Sequence, residues 1–199
     1  MSNANENQPA DDSGLIARWK QGDPAAFDVL VEKYAGKAYQ IAYGVLGNKE
    51  DAEEVAQDVF IRIHRALARF RGDAEFSTWM YRIALNLARN KYRWNKVRGL
   101  REMVSLDAPV EGEDGDSRGP LAVPAAEPSP DRHAAFKELE QNVAGELEAL
   151  PDTFREALVL RNLEDMDYHQ IASLLGCKLG TVKSRIARAR EELRRRLNL

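Results

Sequence analysis

The sequence predicts an all-α protein with two small helical domains joined by a flexible linker. Apolar residues recur at intervals of three and four along most of the chain, which is the spacing of one face of an α-helix. No stretch of useful length alternates between apolar and polar residues as a half-buried strand would. Residues 105–130 interrupt the helical pattern, so the predicted domains are residues 14–104 and 131–199. Residues 1–13 are polar, and we expect them to form a disordered tail.

The predicted linker is rich in residues that do not support a core. Residues 108–130 contain five of the eight prolines, three glycines and five acidic residues, and they lack an aromatic side chain. Such a segment cannot bury enough apolar surface to offset the entropy of ordering it. Its acidity also belongs to a wider pattern: residues 102–140 hold ten acidic and three basic residues, a net charge of −7. Residues 62–101 hold eleven basic and two acidic residues, so the overall charge of −3 conceals a strongly positive segment.

Composition excludes several classes of protein. A hydrophobic content of 44% with 31% charged residues is typical of a soluble globular chain. Neither a run of about eighteen apolar residues nor a signal peptide is present, so we expect a cytoplasmic protein without membrane insertion. The single cysteine, Cys177, excludes an internal disulfide. Because His64, His133 and His169 lack metal-ligand spacing, we predict neither a metal site nor a cofactor.

The C-terminal domain carries the pattern of a helix-turn-helix. Asp167 is placed to cap a helix whose third residue is Gln170, and Gly176 is placed to end that helix. A second helix follows after a short turn. Its inward face is predicted from residues that recur at helical spacing: Val182, Ile186, Ala189 and Leu193.

The opposite face of this second helix is polar and basic. Its first two turns, which enter a major groove in such motifs, offer these candidates for reading duplex DNA: Thr181, Lys183, Ser184, Arg185 and Arg188. Residues 178–199 hold eight basic and two acidic residues, a net charge of +6. A solvated basic helix would share that charge. It would not explain the capped helix and tight turn that precede it, and these favour DNA binding.

Four helices are predicted for the N-terminal domain, over residues 15–21, 24–46, 49–70 and 77–97. The third helix begins with acidic and ends with basic side chains, an order that suits the helix macrodipole and needs no functional explanation. The same helix places Phe60 and Ile63 beside Gln57 and Asp58. This mixture of apolar and polar residues is typical of a protein-docking face.

The fourth predicted helix has an apolar side and a basic side. The apolar side carries Met80, Ile83, Ala84 and Leu87. The basic side carries Trp79, Arg82, Asn86, Arg89 and Arg93. Aromatic rings stack on unpaired bases and guanidinium groups neutralise phosphates, so this mixture suits single-stranded DNA. An aromatic-rich helix is more often part of a core, but the helical phase places Trp79 on the charged side.

Two DNA-binding units of this kind on one chain outline a transcription-initiation factor. The sequence resembles bacterial sigma factors of the sigma-70 class, specifically the small extracytoplasmic-function (ECF) group, which retains only regions two and four. Residues 51–60 resemble region 2.2, residues 76–84 with Asn86 resemble regions 2.3 and 2.4, and residues 150–190 resemble region four. The resemblance covers nearly everything except the first dozen residues and the linker.

The resemblance implies a dissociable subunit of RNA polymerase that has no enzymatic activity. Residues 54–67 would dock on the clamp helices of the polymerase β′ subunit, and the β flap would provide a further contact. The implied polymerase-binding residues are Glu54, Gln57, Asp58, Phe60, Ile61, Arg62 and Arg65. Members of the group are usually held inactive by an anti-sigma factor, often a membrane-anchored one, so such a partner is also implied.

The resemblance further implies two contacts with promoter DNA. Residues 168–187 would read the −35 element as duplex. The loop over residues 70–76 and the helix after it would melt the −10 element and capture a flipped base. The implied −10 residues are Phe70, Arg71, Phe76, Trp79, Tyr81, Arg82, Asn86, Arg89, Asn90 and Arg93.

Two other classes of protein share part of this pattern. A free-standing helix-turn-helix repressor or activator would explain the C-terminal domain, but it leaves the aromatic strip and the docking helix without a role. A nuclease would need clustered carboxylates or a histidine-based site. The acidic residues at positions 50–58 follow one helix N-terminus, and no second cluster completes a metal site.

Overall fold

The computed structural model describes residues 11–104, 145–162 and 166–197, and all regular secondary structure within them is helical. The helices are α1 (Asp12–Lys20), α2 (Ala25–Leu46), α3 (Lys49–Ala66), α4 (Phe76–Val104), α5 (Asp152–Asn162), α6 (Tyr168–Leu175) and α7 (Leu179–Leu197). The predicted all-α class is confirmed. The predicted linker lies outside the described residues. None of the described helices is long and apolar enough to cross a membrane.

Helices α1 to α4 form the N-terminal unit, in which α2, α3 and α4 pack against one another and α1 packs on α2. Ala52, Val55, Val59 and Ile63 of α3 are buried at helical spacing. The interpretation of Ile63 as a docking residue was therefore wrong. It is a core residue, because it continues the buried row of α3 one turn beyond Val59.

Three helix boundaries differ from the predicted ones. α1 begins at Asp12, inside the predicted tail, because the Asp12 carboxylate accepts hydrogen bonds from Lys33 Nζ (2.7 Å) and the Tyr34 hydroxyl (2.5 Å). The α-helical geometry of α3 ends at Ala66 and tightens into a 3₁₀ turn over Leu67–Arg69. α4 continues to Val104, since a single glycine after residue 97 costs a helix only about 1 kcal/mol.

A polar network holds α4 in register against α3. The Asp51 carboxylate accepts hydrogen bonds from Asn48 Nδ2 (2.8 Å) and Asn95 Nδ2 (2.6 Å) and pairs with Lys91 Nζ at 3.1 Å. Partial burial alone would raise the pKa of Asp51, but these partners together outweigh burial and lower it. The network thus fixes the exposed face of α4 relative to that of α3.

Helices α5, α6 and α7 form the C-terminal unit, and here the predicted local structure is confirmed. The Asp167 side chain accepts hydrogen bonds from the backbone N–H groups of His169 and Gln170, and Gln170 Oε1 accepts one from the Asp167 N–H in return. Gly176 ends α6 in the left-handed conformation, with φ of 62°. On α7, the residues predicted to face inward are buried at Val182, Ile186 and Ala189 and partly buried at Leu193.

This capping box gives a direct test of how the first helix of the motif is held. We expect Asp167→Ala to lower the free energy of unfolding by about 1 kcal/mol, because two backbone donors lose their acceptor. Thermal unfolding followed by circular dichroism measures the change. Asp167→Asn keeps an acceptor oxygen and should lose much less. Equal losses in the two variants would show that charge, and not capping, stabilises this end of α6.

The two units are in direct contact through α5, which packs against α2. A Cβ atom built on Gly44 of α2 would lie 2.6 Å from Val159 Cγ2, so the absence of a side chain allows the close approach. Arg155 is fully buried in this contact and donates from Nη1 to the Val45 carbonyl oxygen at 3.1 Å.

Candidate nucleic-acid and polymerase interface

An aromatic cluster marks the start of α4. The ring centroids of Phe70 and Trp79 lie 4.9 Å apart, and Phe76 meets them at 6.1 and 5.9 Å respectively. Tyr34 closes the cluster from α2, 5.3 Å from Phe76. Phe70 and Trp79 are only partly buried, so each presents part of its ring to solvent. Both rings also pack against the core, which fixes their orientation.

Two of the predicted −10 residues do not reach solvent. Phe76 is buried, and it supports Phe70 and Trp79 from below. Tyr81 is 1% exposed, and burial raises the pKa of its hydroxyl to about 12. The prediction that these two side chains contact DNA is therefore corrected: both are core residues in this structure. For Tyr81 the cause is that α4 packs against both α2 and α3, which buries a second row of its residues with Leu85 and Ala88.

The remaining predicted −10 residues lie on the accessible side of α4 and of the loop before it. Arg71, Arg82, Asn86, Asn90 and Arg93 are exposed, and Arg89 is partly buried. Arg93 donates to Asn90 Oδ1 at 2.6 Å and to the Arg89 carbonyl oxygen at 3.3 Å. We call Asn86, Arg89, Asn90 and Arg93 the α4 strip. Its amides and guanidinium groups lie beyond the aromatic cluster along the same helix.

The predicted polymerase-docking residues share α3. Phe60 is partly buried. The other predicted docking residues are exposed: Glu54, Gln57, Asp58, Ile61, Arg62 and Arg65. Ile61 is 47% exposed on the face opposite the buried row. Glu54 differs from the others because its carboxylate lies 2.6 Å from Lys91 Nζ of α4. Arg62 also differs, since it lines a cleft with Asn86 and Arg89.

The helix-turn-helix presents its predicted −35 residues at the start of α7. Lys183, Ser184 and Arg188 are exposed, while Thr181 and Arg185 are partly buried. Ser184 Oγ donates to the Thr181 carbonyl oxygen at 2.9 Å, so this hydroxyl already has one partner within the helix. Arg185 Nη1 lies 3.8 Å from Cys177 Sγ in the turn. Lys183 and Arg188 are therefore the freest of these side chains to reach base edges or phosphates.

A cleft of about 660 Å³ between the units contains residues that sequence reasoning missed. Arg155 and Glu156 of α5 line it opposite the α4 strip. Glu156 accepts two hydrogen bonds from Arg89, at 2.5 Å from Nε and 2.6 Å from Nη2, and this pairing raises the pKa of Arg89. Arg89 and Glu156 are 67 positions apart, so no local sequence pattern predicts that they meet. Within the described parts of the chain, no three His, Cys, Asp or Glu residues group as metal ligands would.

Comparison with known families identifies both units. The model of Sigma-70 region 2 matches residues 30–97, and that of Sigma-70, region 4 matches residues 141–193. The chain is 40% identical over 183 residues to the RNA polymerase sigma-H factor of Pseudomonas aeruginosa, covering 92% of this chain and 91% of the relative. It is 37% identical over 182 residues to the ECF RNA polymerase sigma-E factor of Escherichia coli K12, covering 92% of each chain.

Solved structures share the same arrangement of helices. CnrH, solved in complex with the cytosolic domain of CnrY, matches with a TM-score of 0.67 and 27% identity over 94% of this chain and 97% of that one. The sigma factor RpoE of Bartonella quintana, solved with the anti-sigma factor NepR, shares the fold with a TM-score of 0.60 at 23% identity, covering 87% and 97% of the two chains. Because family models match both helical units and relatives align along nine-tenths of its length, the protein belongs to the sigma-70 family of RNA polymerase sigma factors, in the extracytoplasmic-function group.

Proposed function

We propose that this sigma factor binds the RNA polymerase core as a dissociable subunit and directs it to specific promoters in the cytoplasm. One observation carries the proposal: the same chain holds an accessible aromatic pair, Phe70 and Trp79, beside the α4 strip, and a separate helix-turn-helix with a basic α7. The first site suits unpaired bases and the second suits a major groove. The protein supplies recognition, and the polymerase supplies all the chemistry.

The two promoter contacts divide the work of initiation. The exposed side chains at the start of α7 read the −35 element as duplex and set the position of the polymerase. The rings of Phe70 and Trp79 receive bases of the −10 element, and stacking returns about 1–3 kcal/mol per base against the cost of unpairing. The amides of Asn86 and Asn90 then offer donors and acceptors to base edges.

The proposed partners are proteins as well as DNA. The exposed face of α3 around Ile61 docks on the β′ clamp helices, and the C-terminal unit contacts the β flap. CnrH and the Bartonella quintana RpoE were each solved with a second protein, which is an anti-sigma factor in the latter case. We extend that control to this chain and expect an anti-sigma factor to hold it inactive until a stress releases it.

Run-off transcription tests the proposal directly. Purified bacterial core polymerase is combined with a pool of promoter fragments from the source genome, with and without the protein. New transcripts that depend on the protein are expected, and their aligned upstream sequences would give both recognition elements. Duplex binding without any transcript would instead indicate a free-standing regulator.

Replacing Arg188 tests how the helix-turn-helix reads DNA. We expect Arg188→Ala to cost about 1–3 kcal/mol of promoter binding and to relax the preference at one position of the −35 element. Binding to a library of −35 variants measures the change. Arg190→Ala is the matched control, since this neighbouring exposed arginine is not among the predicted base contacts. A uniform weakening across the library would show that Arg188 contacts a phosphate instead.

A further inference from the structure

The loop over residues 70–75, which the proposed function places at the −10 element, has little structure of its own. It lacks regular secondary structure, and residues 71–75 are all exposed. Gly72 turns the chain there with φ of 80°. A segment with so few buried contacts opens readily unless something else holds it. Phe70 begins this loop, and its ring lies 4.9 Å from Trp79 in the aromatic platform formed by these two rings.

Helix α1 provides a contact that holds the start of the loop. Lys20 Nζ donates a hydrogen bond to the Phe70 carbonyl oxygen at 2.7 Å. Phe70 directly follows the 3₁₀ turn over Leu67–Arg69, so its carbonyl lies at the C-terminal end of a helical segment, where carbonyl groups carry partial negative charge. An ammonium group satisfies the carbonyl and complements that charge. Lys20 therefore holds the backbone of Phe70 and, with it, the direction of the ring.

Other contacts fix α1 itself. An isolated helix of nine residues is unstable in water, but Leu15 and Ile16 of α1 are buried in the core. At the start of the helix, the Asp12 carboxylate pairs with Lys33 Nζ at 2.7 Å and accepts a hydrogen bond from the Tyr34 hydroxyl. Burial raises the pKa of Tyr34, and the bond to Asp12 raises it further, so the hydroxyl remains a donor. These contacts set the position of Lys20 at the other end of α1.

The Asp12 contact also reaches the platform from its buried side. The ring of Tyr34 lies 5.3 Å from that of Phe76, and Phe76 in turn lies 6.1 Å from Phe70 and 5.9 Å from Trp79. Helix α1 thus holds the backbone of Phe70 through one end and the tyrosine that supports the platform through the other.

We infer that α1 positions the aromatic platform for the −10 element, and that Lys20 is the positioning residue that orients Phe70 for base stacking. The inference rests on the proposed function, because it takes Phe70 and Trp79 to receive unpaired bases. A ring that is already oriented loses less conformational freedom when a base stacks on it. Lys20 acts through Phe70 and does not itself contact DNA.

The mobility of Trp79 in the free protein tests this support. Trp19→Phe and Trp94→Phe leave Trp79 as the single tryptophan of the chain, and time-resolved fluorescence anisotropy reports its motion. Lys20→Met keeps the aliphatic stem but removes the donor, and it should increase the amplitude of the fast decay. Lys20→Arg keeps a donor and should resemble the parent. Lys49→Met removes the same charge from an exposed site on α3 and should have no effect. An unchanged decay in Lys20→Met would overturn the inference.

Promoter opening tests the consequence for function. The protein is assembled with the polymerase core on a promoter found by run-off transcription. Lys20→Met should lower the rate of opening by about 3- to 10-fold, as expected for the loss of one hydrogen bond. Binding of the −35 duplex should not change, and Lys49→Met should open the promoter like the parent. Permanganate reactivity measures opening, footprinting measures upstream binding, and circular dichroism confirms that each variant is folded.

A double-mutant cycle distinguishes positioning from a direct contact with DNA. Phe70→Ala keeps the carbonyl group but removes the ring that Lys20 orients. Adding Lys20→Met to Phe70→Ala should therefore lower the opening rate by less than about 2-fold further. A phosphate contact would instead cost the same factor with and without the ring, and it would reduce the salt dependence of binding. That result would overturn the inference.

The outcomes separate this inference from the proposed function. The anisotropy measurement needs neither polymerase nor DNA, so it tests the support of the platform alone. Normal opening by Lys20→Met, with a parent that transcribes, would overturn the inference and leave the proposed function intact. Absence of transcription in the parent itself would instead count against the proposed function.

Discussion

Replacing Trp79 by alanine is expected to reduce promoter opening by about 5- to 150-fold, since each stacked base is worth about 1–3 kcal/mol. Trp79 lies 4.9 Å from Phe70, and the two partly exposed rings form the platform that we assign to the −10 element. Binding of the upstream −35 duplex should stay nearly intact, because α7 lies on the other helical unit. Permanganate reactivity of unpaired thymines measures opening, and footprinting measures upstream binding.

Two further variants separate stacking from a loss of local structure. Asn86→Ala should also impair opening, and it leaves the aromatic cluster intact because Asn86 is exposed about two helical turns beyond Trp79 along α4. Trp94→Ala is the matched control. This tryptophan is 54% exposed on the same helix and lies against Lys91 and Arg98, outside the cluster. Equal loss of opening and of upstream binding in Trp79→Ala would contradict the division of work between the units.

Local signals explain which parts of the structure were predictable. The capping box at Asp167, the end of α6 at Gly176 and the buried face of α7 each depend on residues within one or two helical turns. Over one or two helical turns, the order of residues alone determines which hydrogen-bonding groups meet and which side chains share a face. The all-α class follows from the same periodicity.

Longer-range packing explains what was missed. The spacing of apolar residues predicted one buried face of α4, and that face does not include Tyr81. Because α2 and α3 both cover α4, a second face is buried as well, and Tyr81 lies on it. The pair of Arg89 and Glu156 depends on how two units meet, and neither residue differs in the sequence from any other surface charge. Gly44 is likewise explained only by the side chain of Val159.

Replacing Ile61 by glutamate is expected to weaken binding to the RNA polymerase core by about 30- to 1000-fold. Ile61 is 47% exposed on α3, with Gln57, Asp58 and Arg65 exposed around it. An exposed apolar side chain within a polar rim is the arrangement of a binding hot spot, for which truncation costs about 2–4 kcal/mol. A buried carboxylate at the same point adds a desolvation cost. Titration of labelled protein with polymerase core measures the affinity.

A matched substitution tests whether the loss of polymerase binding is specific to the position of Ile61 or follows from replacing any exposed apolar side chain. Val29 is 40% exposed on α2, and Val29→Glu makes the same chemical change away from α3. Both variants should keep the free energy of unfolding within about 0.5 kcal/mol of the parent, because neither side chain belongs to the buried row of its helix. Only Ile61→Glu should lose polymerase binding. If both variants bound the core like the parent, the docking face would have to lie on another helix, and the exposure of Ile61 would need a different partner to explain it.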